Sequence, residues 1–135
     1  MNLIRPIFLL TISLTAASCA QEEKSPELIE ANRLHLEAIE ISKELEPKLE
    51  SLSSHAKGGA EKSQIDSLKA LIEMWEENMI EVPGFAHAHA HGTHTHEHKS
   101  APPMTDESML DYQRQSREAI IELQGATAKL DSLLK

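Results

Sequence analysis

Six histidines stand within twelve residues: His87, His89, His91, His94, His96 and His98, spaced by small or polar residues in AHAHAHGTHTHEH. Neutral imidazole is the commonest side-chain ligand for Zn, Cu and Ni. Spacing by two puts neighbouring rings on one side of an extended segment. Gly92-Thr93 offers a bend that would fold the two triplets onto a shared ion, with Glu97 adding an oxygen. The chain has no HExxH motif and no cysteine near the tract, so the ligand set of a zinc hydrolase is missing. Histidines that no rigid element fixes suit labile, multiple binding of modest affinity: buffering, capture or hand-over, not catalysis. The bland alternative is a solvated low-complexity loop that takes up metal only incidentally. Met74, Met79, Met104 and Met109 flank the tract, and thioethers favour Cu(I). At helical spacing, however, methionine is chiefly core filler. His35 is expected as a packed core histidine, His55 as a turn residue and Trp75 as part of the core.

The second chemical feature is Cys19, the chain's one cysteine. It follows Arg5, an apolar run from Ile7 to Leu14, and the small residues Ala16, Ala17 and Ser18, which is the order of a secretory signal. The run falls short of the roughly 20 apolar residues of a spanning helix. The segment resembles the lipobox of bacterial lipoproteins, although Ala16 stands where Leu is more usual. That resemblance implies removal of residues 1–18 and a lipid on Cys19. An ordinary signal cleaved near Ala17 would instead leave Cys19 a stray thiol, a liability in an oxidising compartment. Residues 19–25 then form an acidic tether. Ala20 is not the Asp of the inner-membrane retention rule, and Gln21-Glu22-Glu23 resembles acidic surface-export signals. A cell-envelope location follows as the expectation, outer membrane favoured, facing periplasm or cell surface.

Without residues 1–18, 12 Lys and Arg face 22 Asp and Glu, a net charge of −10. Such a surface repels nucleic acid and attracts cations.

What must position the tract is helical. Residues 26–53 read as a first helix, with Ser25 as cap and Pro26 at the first position. Leu28, Ala31, His35, Ala38, Ser42, Leu45, Leu49 and Leu52 recur in 3-4 steps, and Pro47 predicts a kink or short break. His55 to Ala60 is a glycine turn. A second helix is expected from near Ser63, with Asp66 as capping-box partner and a seam of Ile65, Leu68, Ile72, Trp75, Met79 and Val82, stopped by Pro83-Gly84. A third follows Thr105, with its seam at Met109, Tyr112, Ser116, Ala119, Leu123, Ala126, Leu130 and Leu133, thickened by Ile120, Ile121 and Leu134. No strand alternation appears. The expectation is an all-α, antiparallel three-helix bundle over residues 26–135, with a long His-rich loop, 85–103, between helices 2 and 3. A loop of that length is usually functional or disordered.

LHLEAIEISKELEPKL, LKALIEMWEENM and the closing AKLDSLLK, behind a lipobox and charged tether, resemble small Bacteroidota lipoproteins loosely labelled "viral A-type inclusion protein". That group implies no established activity and no catalytic residues, and the histidine tract looks like a specialisation within it.

Two functions follow as expectations. In the first, an envelope lipoprotein captures Zn(II), Ni(II) or Cu(II) on the tract, with no obligatory cofactor. In the second, the helical seams recruit an envelope protein partner or self-associate, and metal is incidental. An enzyme is not expected, since no nucleophile–base pair, carboxylate pair or phosphate loop can be picked out.

Overall fold

The computed structural model describes residues 23–85 and 99–135. Three helices, α1 (Pro26–His55), α2 (Gly59–Asn78) and α3 (Asp106–Leu133), take up 78 of these 100 residues. Side-chain pairs fix their directions. Ser42 meets Glu76 and Glu50 meets Lys69, so α1 and α2 run antiparallel. Glu37 meets Arg117 and Lys48 meets Asp131, so α1 and α3 run parallel. The chain is an up-down-up bundle, and α1 packs most extensively on α3.

The start of α1 is as expected: the Ser25 hydroxyl accepts from the Leu28 N–H at 3.2 Å, and Pro26 occupies the first turn. The inner stripe from Ala31 to Leu52 is buried, His35 and Ser42 included. At Pro47 the expected break does not occur, and the helix continues to His55. Pro47 is exposed, on the side where water can serve the carbonyl one turn back that its missing N–H leaves.

Helix α2 begins four residues before the expected Ser63, because Glu61 rather than Asp66 does the capping. Its carboxylate accepts from the backbone N–H groups of Lys57 and Gly58, at 2.7 and 3.1 Å. These two bonds favour the charged form and hold the Glu61 carboxyl below its usual range. The helix also ends early, at Asn78 rather than Val82, with Met79 already extended. The chain then turns through Gly84 at φ +77°, a conformation that costs an L side chain about 1–2 kcal/mol.

Helix α3 starts at Asp106 behind Thr105, whose hydroxyl accepts from the Ser108 N–H. Its buried stripe is rotated from the expected one. Met109, Ile120 and Leu130 face inward as expected, joined by Gln113 and Thr127, whereas Ala119 and Ala126 are exposed and Leu133 is 71% exposed. Two buried polar side chains explain the shift. Gln113 donates to the Ile80 carbonyl at 2.8 Å, and the Thr127 hydroxyl donates to the Leu123 carbonyl at 2.9 Å. The donors of both side chains are thus paired, while Gln113 Oε1 is buried without a partner among the described residues.

The core has two parts. The larger, around Ala38, Leu45, Leu49, Ile65, Ile72 and Ile120, spans the middle and the α1–α2 turn. The smaller gathers Ala31, Leu34, Val82, Met109 and Leu110, with Phe85, Ala101 and Met104 packed against it.

Candidate functional site

His87, His89, His91, His94, His96, His98 and Cys19 lie outside the described residues. The structure does describe the platform from which the tract departs and to which it returns. Helix termini leave carbonyls without helical donors, and at the end of α2 three are served from elsewhere. Tyr112 donates its hydroxyl to the Asn78 carbonyl at 2.7 Å, the Lys99 N–H donates to Met79 at 3.2 Å, and Gln113 serves Ile80. The Glu81 N–H returns a bond to the Lys99 carbonyl at 3.1 Å, which makes Ile80 and Lys99 a single parallel bridge. Lys99 Nζ adds a bond to Asn78 Oδ1 at 2.9 Å. Burial raises the Tyr112 phenol above its ordinary pKa, against a smaller lowering from backbone hydrogen bonding at Ile80.

The outgoing root is fixed as well. The Phe85 N–H donates to the Val82 carbonyl, the Phe85 ring packs on the smaller core, and the Lys24 ammonium lies 4.8 Å from the centre of that ring. Residue 24 therefore stands at the same end of the bundle as both roots of the tract. Three stretches distant in sequence meet there: the start of the described chain, the residues up to Phe85, and the residues from Lys99.

The remaining candidates divide. Met79 and Met109 are buried, so their thioethers belong to the core, and Met109 Sδ accepts from Gln113 at 3.6 Å. Met74 is exposed and Met104 half-buried. His35 is fully buried, as expected. His55 ends α1 rather than standing in the turn, with Nδ1 2.7 Å from the Ser51 carbonyl oxygen. Trp75 is half-buried rather than enclosed, and its indole N–H donates to the Ser116 carbonyl at 2.8 Å, joining α2 to α3. Among the described residues, no group of three or more His, Cys, Asp or Glu is placed to hold a metal. Nor is any described helix long and apolar enough to cross a membrane.

Polar features inside the bundle escaped the sequence. Glu76 is 5% exposed and bonded to Ser42, which is fully buried. Glu37 joins Arg117 at 2.7 Å, and that hydrogen bond, with the added charge, holds the Glu37 carboxyl below its usual range. Helical spacing placed Ser42 on the inner stripe, but nothing in the sequence paired it with Glu76.

No family model, curated protein or solved structure matches the chain.

Proposed function

We propose that the protein is a lipid-anchored extracytoplasmic metal-binding protein. In this reading Cys19 carries the lipid, and the bundle displays His87, His89, His91, His94, His96 and His98 for capture or hand-over of Zn(II), Ni(II) or Cu(II). The observation that carries the reading is the density of the tract, six imidazoles in twelve residues. The platform supports it: a segment that needs freedom to wrap an ion departs from and returns to backbone fixed by hydrogen bonds at Met79–Glu81 and Lys99. The shared end of the bundle supports the anchored part. Lys24, five residues beyond Cys19, packs on the outgoing root, so a lipid on Cys19 would hold that root at Phe85 within roughly 20 Å of the membrane surface.

Metal competes with protons at rings of unperturbed pKa about 6.5. Titration of the chain from Ala20 onward with zinc, at about pH 7.5 and about pH 5.5, tests the metal half. Strong uptake at the higher pH that fades at the lower is expected; equal or negligible uptake at both removes the reading. Mass spectrometry of the protein isolated from membranes tests the lipid half, which requires a diacylglyceryl-modified Cys19 as first residue.

A further inference from the structure

The rotation of α3 leaves an apolar groove between α2 and α3 along the length of the shorter helix. One half, roughly 450 Å³, is lined by Leu71, Met74, Trp75, Tyr112, Ala119 and Leu123. The other, roughly 490 Å³, is lined by Ser67, Leu68, Ala126 and Leu130, with Leu133 at its lip. Leu71, Met74 and Leu133 are 46%, 55% and 71% exposed, so this face carries three of the five most exposed large hydrophobics among the described residues.

The charges on the groove say what fits it. On a chain of net charge −9, its lining holds one acid, Glu122, and one base, Lys129. Neither has an ion-pair partner among the described residues. They sit seven residues apart on one face of α3, a separation of about 10 Å along the helix. Midway between them lie Gly125 and Ala126. A side chain at Gly125 would meet nothing within 4 Å, and Ala126 is exposed, so another backbone can come close there.

We propose that the groove seats a second copy of this chain, α3 against α3, about a two-fold axis crossing the helix between Gly125 and Ala126. That operation sets each Glu122 opposite the other copy's Lys129, giving two reciprocal ion pairs from charges that have no ion-pair partner among the described residues of one copy. It also carries each Leu133 to the level of residue 118 of the other copy, over the apolar half lined by Leu71, Met74 and Trp75. The interface is isologous: the same patch serves both sides and closes at two. Elsewhere two such acidic bodies repel, and this nearly neutral face is where they approach at least cost. The axis puts the two N-termini at opposite ends of the pair, so a pair lying flat lets both tethers reach one surface.

The test is sedimentation equilibrium on the chain from Ala20 onward, whose core begins at Ala31 and loses nothing by the truncation. EDTA is present throughout, so that metal bridging through histidines contributes nothing. A dimer is expected between roughly 5 and 500 µM. Glu122→Lys or Lys129→Glu alone should weaken it about tenfold or more, by setting like charges face to face. The double reversal, E122K with K129E, should restore it, since each reversed residue again meets its opposite. Both positions are at the surface, and unchanged far-ultraviolet circular dichroism confirms that each variant folds. A wild type that stays monomeric at the highest concentration overturns the proposal and leaves the groove to a helix of another protein. A double variant as weak as the single ones overturns it equally.

Discussion

Replacing residues 86–98 with about eight glycine and serine residues removes every imidazole of the tract and keeps both of its roots. The described members of both parts of the core all lie outside that segment. The main energetic change is then loop closure: shortening a 13-residue connection to about eight favours folding by roughly 0.4 kcal/mol. The thermal midpoint should therefore stay within about 3 °C of the parent. Zinc uptake at neutral pH should nevertheless collapse. A second consequence sharpens the test. If all ligands lie in one short stretch of sequence, folded and unfolded chains hold the metal alike, and zinc leaves the parent's midpoint nearly unmoved. Circular dichroism melts of parent and replacement, with and without zinc, read both effects. A loss of more than about 2 kcal/mol on replacement would mean that the tract covers the core. Stabilisation of the parent near 2.7 kcal/mol at a hundredfold excess over Kd would mean that bundle residues complete the site. Either result refutes the idea of a ligand segment energetically separate from its scaffold.

Other expectations concern the scaffold. Ile120→Ala, at a fully buried position of the larger core, should cost about 2–4 kcal/mol and lower the melting midpoint by roughly ten degrees or more; a change within error would show that the site is not packed as described. Gly84→Ala places an L residue at φ +77°, with its Cβ 3.3 Å from Lys24 Cε, and should cost about 1–2 kcal/mol in urea unfolding, a cost that a released turn would not show. Because the folded-state pKa of Glu37 is depressed by Arg117, the pair adds stability above the ordinary carboxyl range and loses it as pH falls through the lowered value. Both side chains are about a third exposed, so the effect is small. The gap in urea midpoint between parent and Glu37→Gln should be present near pH 7 and vanish near pH 2 to 3; a gap that persists in acid assigns the effect to packing.

The sequence by itself determined the helical class, the two hydroxyl caps and the inner face of α1, because each is a local property. Ser25 and Thr105 reach backbone three residues away, and the stripe from Ala31 to Leu52 repeats at helical spacing. The six histidines stand out in the sequence alone as a candidate ligand set, since their spacing is local too. Only tertiary structure decided which side of α3 faces inward. The expected and observed stripes share Met109 and Leu130; between them Tyr112, Ala119 and Ala126 each lost to the next residue, Gln113, Ile120 and Thr127, about 100° further round the helix. The Gln113 side-chain N–H donates to the Ile80 carbonyl, 33 residues away, a partner that exists only once α2 has ended and turned. The early stop of α2 has the same origin: Tyr112, Gln113 and Lys99 supply donors to the carbonyls of Asn78, Ile80 and Met79. Hydrophobic periodicity ranks faces by what they bury, whereas the folded chain also ranks them by which polar groups find partners, and those partners are set by the packing of distant segments.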